Sequence, residues 1–326
     1  MKFRTELRVV PFDRPIGFDE QVLALGSCFA DELRTRLAAL KFRIAGNFAG
    51  PLFNPESIAA AIDRAAAEQP YTMTDLARDD EGMWFCYDTA TRFDDPDPAQ
   101  VVARCNAAQE ALRETLAAAR HVIVTFGTAQ VYRLRETGAV VANCHRRPAA
   151  LFHRERLGVD AIVERWSELL AGPLSGRRLI LTVSPIRHIG DGLEANAVSK
   201  AVLRLAAAEL AERHPDTVRY FPAYEILTDD LRDYRFYADD LVHPAPQAVD
   251  YILERFAEAA FTPETRRRAA EVERLVAFCR HTPRRAGSEA DRRACAEQLA
   301  ALERFEAESG IDFKEEIAQL KGRISR

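Results

Sequence analysis

Short apolar runs alternate with longer amphipathic segments between residues 22 and 261. The apolar runs predict strands over residues 22–25, 122–126, 179–183 and 218–221. Each run ends in small, polar or proline residues, as a strand does where it gives way to a loop. Strands that alternate with crossover helices form a parallel sheet. The pattern therefore predicts an α/β fold built on such a sheet.

The segments between the strands repeat their apolar positions with the period of an α-helix. They predict helices over residues 30–40, 55–67, 98–119, 159–170, 195–212 and 247–260. Pro55 and Pro98 support two of these starts, because the first turn of a helix tolerates proline. Residues 130–143 interrupt the alternation with two β-rich arms around Gly138, which predicts a hairpin. Residues 84–87 predict one further strand.

The pattern changes after Phe261, where helix-forming and charged residues dominate. It predicts helices over residues 263–279, 288–309 and 313–324. We therefore expect an α/β domain, residues 1–261, and a C-terminal helical extension, residues 262–326. Two interpretations of the extension stay open: solvated helices that cover one sheet edge, or an arm that forms a homodimer. The absence of a long heptad run favours the first.

Composition and charge narrow the class of protein. Of the 326 residues, 48% are hydrophobic and 29% charged, which is an ordinary globular mixture. The formal charge of -5 gives no basic surface for nucleic acid. The apolar runs are far shorter than the roughly 20 residues of a membrane helix, and residues 1–20 show no secretory signal. Six scattered cysteines give no disulfide framework, so we expect a cytoplasmic protein.

The first candidate for chemistry is Ser27, which lies between the first predicted strand and the first predicted helix. At that junction its hydroxyl is at the carboxyl edge of the sheet, where open α/β sheets bind ligands. The N-terminus of the helix also stabilises negative charge there. Two interpretations stay open: a nucleophile, or an N-cap of the helix, a position that serine favours.

The second candidate is the D-x-x-H spacing of Asp240 and His243, which is closed by Pro244. A carboxylate that folds back on a histidine fixes the tautomer of the imidazole, and the other ring nitrogen then faces a nucleophile. The alternative is an aspartate that caps the next helix and an exposed loop histidine. Because Ser27 and His243 both fall at the carboxyl edge of one sheet, each strengthens the catalytic interpretation of the other.

Several ordered segments resemble one known family. The string Gly26-Ser27-Cys28-Phe29-Ala30 resembles the name-giving motif of the GSCFA family, a branch of the SGNH or GDSL-type hydrolase superfamily. The resemblance extends to residues 47–55, 127–132, 143–145, 184–187 and 240–244. Together these segments run from about residue 20 to residue 260, the span of the predicted α/β domain.

The resemblance implies a three-layer α/β/α sandwich with a flavodoxin-like, mostly parallel sheet, as in SGNH hydrolases. It also implies cleavage of an ester, with Ser27 as nucleophile, His243 as general base and Asp240 as the carboxylate that orients it. In the superfamily the oxyanion binds the N–H of the nucleophile, here Ser27, the N–H of a glycine, here Gly50, and an asparagine side chain. The implied substrate carries an acetyl or short acyl group on a carbohydrate-like alcohol.

One position departs from the superfamily pattern. Most members carry G-x-N-D in the third motif, whereas this chain has Gly127-Thr128-Ala129-Gln130, so Ala129 replaces the asparagine. The loss of one oxyanion donor typically costs about 10² to 10³ in rate. Two side chains are candidates for the missing donor: Gln130, which is adjacent in the loop, and Asn143, at the end of the predicted hairpin. We prefer Asn143, because residues 143–145 themselves resemble the family.

We expect further residues of these segments to bind the substrate, and they are Asn47, Gly127, Thr128 and His145, together with Arg187 for an anionic or sugar group. Arg187 begins a polar loop that also contains His188 and Asn196. On the next helix, Lys200 is expected to be a solvated side chain. Cys28 is expected to be a buried apolar residue. We expect no cofactor and no metal, because the cysteines and histidines fit no standard zinc spacing.

Three functions are consistent with these residues. The first is a serine hydrolase that forms an acyl-enzyme on Ser27 and releases it with water. The second is an O-acyltransferase that passes the acyl group to an acceptor hydroxyl. The third is a binding or assembly protein that keeps the fold, which Ala129 favours. We predict the hydrolase, acting on a small-molecule or glycan ester, because the serine and the D-x-x-H motif are both intact.

Overall fold

Five parallel strands form the centre of the structure, a computed structural model that describes residues 4–325. The strands are, in chain order, β1 (Gln21–Gly26), β2 (Ile44–Gly46), β3 (Leu76–Arg78), β4 (Trp84–Cys86), β5 (Ala119–Phe126), β6 (Gln130–Leu134), β7 (Val140–Val141), β8 (Phe152–Arg156), β9 (Arg178–Val183) and β10 (Val218–Tyr220). The central sheet has the order β2-β1-β5-β9-β10, and all its pairs are parallel. Counted within the sheet this is 2-1-3-4-5, the flavodoxin-like order.

The four predicted strands are confirmed as β1, β5, β9 and β10. Every residue of β9 is buried, and so is every residue of β5 except one. Strands buried on both faces read as continuous apolar runs, which is why the sequence predicted them. The sequence did not predict β2, because this three-residue edge strand is only partly buried and has no such run.

Helices flank the sheet, and their starts follow from local sequence. They are α1 (Cys28–Ala39), α2 (Pro55–Ala66), α3 (Pro98–Ala118), α4 (Val159–Ala171), α5 (Leu193–Arg213), α6 (Ala223–Glu225), α7 (Pro246–Ala260), α8 (Pro263–Arg280), α9 (Glu289–Ser309) and α10 (Lys314–Ile324). The side chains of Asn54, Asp97 and Thr262 cap α2, α3 and α8, and each is followed by proline. A side-chain cap satisfies a free N–H, and proline in the first turn lacks the N–H that would need a partner. The predicted helices are confirmed.

The two faces of the sheet bury different helices, because successive residues of a strand point to opposite sides. Leu23 and Leu25 pack in an apolar cluster with α2, α3, α4 and α5. Val22 and Ala24 pack in a second cluster with α1 and α7. One helical layer on each face gives the three-layer sandwich that the resemblance implied.

Two small antiparallel sheets lie outside the central one. The predicted hairpin is formed by β6 and β7. Strand β8 pairs with the other side of β6, a pairing that the sequence did not predict because only Phe152 of β8 is buried. The predicted strand at residues 84–87 is β4, which pairs with β3.

Helices α8, α9 and α10 form their own apolar cluster beside the sandwich. Phe18 packs against both this cluster and the α1/α7 cluster, and the Lys41 ammonium lies 2.7 Å from the Glu316 carboxylate of α10. Within the described part of the extension, residues 262–325, no large apolar side chain is exposed. The extension thus contacts the α/β part of the chain through Phe18 and Lys41, and its role in a homodimer stays a prediction. The division into residues 1–261 and 262–326 stays a prediction, and residues 1–3 and 326 lie outside the described chain.

Candidate active site

Ser27 lies between the end of β1 and the first turn of α1. Strand β1 ends at Gly26 with φ +128°, where a Cβ would stand 2.2 Å from the Thr125 carbonyl oxygen, so that position requires glycine. Ser27 is buried, and its Oγ accepts the Phe29 N–H at 3.3 Å. Because β1 and β5 are neighbours where the strand order reverses, the hydroxyl is at the switch point of the sheet. The N-cap role and the sheet-edge position that the sequence suggested thus coincide.

Asn47 fixes the backbone before the serine. Its Oδ1 accepts the Gly26 N–H at 2.9 Å, and its Nδ2 donates to the Gly26 carbonyl at 3.1 Å. The residue is buried in the left-handed region with φ +46°, a conformation that asparagine tolerates. We expected Asn47 to bind substrate. The structure instead directs both ends of its amide to Gly26, so Asn47 positions Ser27.

Asp240 and His243 form a hydrogen-bonded pair in the loop before α7. Asp240 Oδ2 lies 2.6 Å from His243 Nδ1, and Asp240 Oδ1 accepts the N–H groups of His243 and Val242 at 3.0 and 2.9 Å. These hydrogen bonds, the His243 N–H first, lower the pKa of Asp240 to about 2. The ionised carboxylate holds the imidazole proton on Nδ1, which leaves Nε2 as an acceptor.

Within residues 4–325 no hydrogen bond joins Ser27 to His243. The loop of His243 is tied to this edge through neighbours: the Arg187 N–H donates to the Val242 carbonyl at 3.2 Å, and Val242 and Cys28 pack against the same apolar cluster. Catalytic hydrogen bonds often tighten only when substrate binds. The roles of Ser27, His243 and Asp240 therefore stay predictions.

The two backbone N–H groups predicted for the oxyanion have partners elsewhere. Ser27 donates its N–H to the Thr125 carbonyl at 3.1 Å, and Gly50 donates to the Asn47 carbonyl at 2.9 Å. In this respect the structure differs from what the resemblance implied, because one N–H extends the strand pairing and the other closes a turn. Gly50 is nevertheless required, since a Cβ there would stand 2.5 Å from Ala90 Cβ.

A cavity of about 440 Å³ is present beside this edge, and Thr128, Gln130 and Asn143 line it. Asn143 Oδ1 accepts the His145 N–H at 2.9 Å, so its amide NH₂ is the end left to donate. Thr128 Oγ1 accepts the Gln130 N–H at 3.1 Å. Both candidates for the missing oxyanion donor, Gln130 and Asn143, thus lie on one cavity wall.

Ala129 is fully buried at the asparagine position of the superfamily motif. Its N–H donates to Ser199 Oγ at 2.7 Å, and Ser199 Oγ also lies 3.1 Å from Thr128 Oγ1. The backbone at Ala129 is therefore tied to α5. Its N–H is engaged with Ser199, and its side chain is a methyl group, so Ala129 supplies no hydrogen-bond donor for an oxyanion.

His145 was expected to bind substrate, but it is buried beneath the turn that follows β7. Its Nδ1 lies 3.2 Å from Asp94 Oδ1, and its side chain is only 2% exposed. The ring stacks on Phe85 with 4.5 Å between centroids. Burial raises the pKa of Asp94. His145 thus packs in the protein interior and is absent from the lining of the cavity.

Arg187 is held between aromatic rings at the base of the His243 loop. Its guanidinium carbon lies 3.9 Å from the ring centre of Tyr237 and 5.1 Å from that of Tyr234. Such contacts stabilise a guanidinium and fix its direction. Binding of an anionic or sugar group by Arg187 stays a prediction.

Lys200 is completely buried, contrary to the expectation of a solvated side chain. Its Nζ donates to the carbonyls of Gly127 and Ser184, both at 2.7 Å. Burial lowers the pKa of this ammonium to about 7. Because the two carbonyls directly follow β5 and β9, Lys200 ties together two strand ends of the candidate site.

His188 also belongs to the site, where the sequence analysis had placed it only in a polar loop. It lines the cavity, and its N–H donates to Asn196 Oδ1 at 3.0 Å. The one sequence signal for its place in the cavity wall is its position shortly after the predicted strand β9.

Cys28, directly after the serine, is half-buried. Burial raises the pKa of its thiol, with the nearby Asp31 carboxylate adding to the effect. The thiol therefore stays protonated at neutral pH, which agrees with an apolar packing role.

Among residues 4–325, no three His, Cys, Asp or Glu side chains converge as a metal-binding group. No helix in this part of the chain has the length and apolar character needed to cross a membrane.

A comparison with family models finds a match over most of the chain. The model of the GSCFA family matches residues 21–256, which is well over half of the chain and includes Ser27, Asp240 and His243. Among curated proteins, none matches the chain.

Proposed function

Since this chain belongs to the GSCFA family, we propose that it is a serine hydrolase that cleaves an ester through Ser27, His243 and Asp240. Ser27 attacks the acyl carbon, His243 takes the hydroxyl proton and returns it to the leaving alcohol, and Asp240 orients His243. Water then releases the acyl group from Ser27 by the same steps.

The observation that carries this proposal is that one edge of the fold holds both a serine at the switch point of the sheet and a histidine whose ring is hydrogen-bonded to a carboxylate. Ser27 caps α1 at the carboxyl end of β1, and the Asp240–His243 pair, at 2.6 Å, occupies the loop before the last helix of the sandwich. A carboxylate bound to Nδ1 in this way orients the imidazole and leaves its other ring nitrogen to accept a proton, as a general base requires.

We further infer that the family is a branch of the SGNH or GDSL-type hydrolases. The support is the combination of the 2-1-3-4-5 sheet, the serine after its first strand and the D-x-x-H motif before α7.

The proposed substrate is a small-molecule or glycan ester with an acetyl or short acyl group. The hydroxyl and amide side chains of Thr128, Gln130 and Asn143 on the wall of the 440 Å³ cavity support a polar alcohol part. Arg187 at the rim of the same edge would add contact with an anionic or sugar group.

Labelling with a fluorophosphonate probe tests the nucleophile directly. The purified protein, Ser27→Ala and Ser57→Ala are treated with the probe, and the adduct is located by peptide mass spectrometry. Ser57 is a matched control, because it also lies buried in the first turn of a helix but belongs to α2. We expect an adduct on Ser27 in the wild type and in Ser57→Ala, and none in Ser27→Ala. No adduct on a folded wild-type protein would contradict the proposal.

Labelling, product analysis and ligand binding together distinguish the hydrolase from two other functions. An O-acyltransferase would label at Ser27 but transfer the acyl group of a donor ester to an added polyol faster than to water, which product analysis detects. A binding protein is favoured by the engaged N–H groups of Ser27 and Gly50. It would show no adduct and would bind its ligand equally well in Ser27→Ala.

A further inference from the structure

We propose that Lys200 is a positioning residue for the proposed reaction, and that its buried amine sets the distance between the Ser27 hydroxyl and the His243 ring. The inference rests on the proposed function. The hydrogen bonds of Lys200 go to the backbone of the loops that follow β5 and β9, so it acts through these loops. The resemblance assigned this side chain no role.

The first hydrogen bond of Lys200 fixes the residue that packs against Ser27. Its Nζ donates to the Gly127 carbonyl at 2.7 Å. A Cβ on Gly127 would stand 3.3 Å from Ser27 Cβ, so the backbone of Gly127 lies directly beside the nucleophile. The Gly127 N–H donates to the Phe53 carbonyl at 2.8 Å. The backbone beside Ser27 is therefore held through both its N–H and its carbonyl.

The second hydrogen bond of Lys200 fixes the loop that holds the His243 loop. Its Nζ donates to the Ser184 carbonyl at 2.7 Å. Three residues further along, Arg187 donates its N–H to the Val242 carbonyl at 3.2 Å. Val242 directly precedes His243 in the chain. A shift of the backbone at Ser184 would therefore move the base.

One amine thus joins the two halves of the proposed site. The pairing of β5 with β9 extends to the Ser184 N–H, which donates to the Phe126 carbonyl at 2.8 Å. The carbonyls of Gly127 and Ser184 come directly after this point, where the two chains turn into loops, and Lys200 binds both. Groups that must react are effective only when the fold holds them at the correct separation.

Lysine is an unusual residue at so buried a position. Lys200 is fully buried, and no carboxylate pairs with it within residues 4–325. Burial of a charged amine without a counter-ion is costly, and an apolar side chain of similar volume would avoid that cost. An apolar side chain would, however, leave both carbonyls without their donor. A neutral amine keeps two N–H donors, so these contacts do not depend on whether Lys200 is charged.

A double-mutant cycle tests this role, because it separates positioning from general destabilisation. The rate of fluorophosphonate labelling at Ser27 is measured for the wild type, Lys200→Met, His243→Ala and the double variant, at equal concentrations of folded protein. Lys200→Gln is a second substitution for the same cycle. Its amide keeps N–H donors in the buried space but is shorter than the lysine side chain, so the two carbonyls would have to move to reach it.

Leu203→Ala is the matched control for loss of stability. Leu203 is also buried on α5, and it packs in the apolar cluster beneath the sheet rather than on the strand-end carbonyls. Its removal should destabilise the same helix and leave labelling of Ser27 at the wild-type rate. Thermal unfolding verifies that each variant is folded.

We expect Lys200→Met to slow labelling by about 10²-fold, the cost of a displacement of about 1 Å between reacting groups, and Lys200→Gln to slow it less. In the His243→Ala background the same substitutions should change the rate by less than about twofold, because the distance to an absent base no longer matters. Hydrolysis of 4-nitrophenyl acetate should show the loss in kcat with little change in KM, since Lys200 binds backbone and not substrate.

Three results would overturn the inference while His243-dependent labelling of Ser27 persists in the wild type. They are wild-type labelling in Lys200→Met, an equal loss with and without His243, and an equal loss in Leu203→Ala. Failure of both Lys200 variants to fold would also overturn it, because the lysine would then be required for the fold itself. Labelling of Ser27 that is absent, or that does not depend on His243, would overturn the proposed function and the inference with it.

Discussion

Two aspartate–histidine pairs within residues 4–325 have similar geometry and opposite surroundings. In the loop before α7, Asp240 and His243 lie 2.6 Å apart, and each side chain is 49% exposed. Beneath the turn after β7, Asp94 and His145 lie 3.2 Å apart, and the histidine is 2% exposed. Both pairs join a carboxylate oxygen to Nδ1 of the ring.

The difference appears in the carboxylates. Two backbone N–H groups and the His243 ring hydrogen-bond Asp240 and lower its pKa to about 2. Among the hydrogen bonds of the described residues, the side-chain partner of Asp94 is the His145 ring, and burial raises the pKa of this carboxylate. A carboxylate beside a histidine is therefore not by itself evidence of a catalytic role. Access for a substrate and a firmly ionised carboxylate make the first pair suitable for proton transfer, whereas the second pair stabilises packing.

Removal of the exposed histidine should have the largest effect on activity. His243→Ala should lower kcat/KM for 4-nitrophenyl acetate by about 10² to 10⁴, the usual contribution of a general base. Its free energy of unfolding should stay within about 0.5 kcal/mol of wild type, because the side chain is exposed. Turnover close to wild type in His243→Ala would show that His243 is not the general base. The exposed pair would then have no more catalytic role than the buried pair.

Removal of the buried histidine should show the reverse pattern. His145→Ala should lower the free energy of unfolding by about 2 to 4 kcal/mol, because it opens a cavity against Phe85 and leaves Asp94 without its partner. Turnover per folded molecule should not change. Urea unfolding measures the loss, and His153→Ala, at an exposed histidine of β8, is the control with little expected effect. A stable but inactive His145→Ala would mean that the buried pair has a catalytic role.

Lys200 extends the comparison to a buried group beside the site itself. Its pKa is about 7 in the folded chain, below the ordinary value of 10.5, so between these values the unfolded chain binds more protons. The free energy of unfolding should therefore rise with pH from about 7 upwards, by about 2 kcal/mol between pH 7 and 9, relative to Lys200→Met. Tyr224, which faces the ammonium, is present in both proteins and cancels in the difference. A difference independent of pH would show that Lys200 stays charged.

The smallest effect is expected at Cys28. Burial keeps this thiol protonated, so Cys28→Ala should leave ester turnover and probe labelling at Ser27 unchanged. Iodoacetamide should modify Cys28 slowly in the folded protein and rapidly after unfolding. Rapid alkylation of the folded chain would indicate a thiolate next to the serine.

Much of the fold was predictable because it is set by local signals. Continuous apolar runs mark β5 and β9, and capping residues before proline mark α2 and α3. The placement of Ser27 at the sheet edge follows from the same signals, since a strand must end where a helix begins. The contact of Asp240 with His243 is also local, because it spans three residues.

The other parts of the site depend on contacts between distant segments, which leave no local pattern. His145 meets Asp94 across 51 residues, and Lys200 reaches Gly127 across 73. A lysine in a helix such as α5 is expected to be solvated, and only the position of the loops at Gly127 and Ser184 shows that Lys200 is buried. The engagement of the Gly50 N–H with Asn47 depends on the backbone conformation of a turn, which residue types alone do not specify.

The most direct test of the central claim, that the exposed pair activates Ser27, is the rate at which a fluorophosphonate labels Ser27. The rate is compared in the wild type, His243→Ala and His145→Ala at equal concentrations of folded protein. The account predicts labelling at least about 10²-fold slower in His243→Ala and at the wild-type rate in His145→Ala. Equal labelling of all three proteins, or slow labelling confined to His145→Ala, would contradict it.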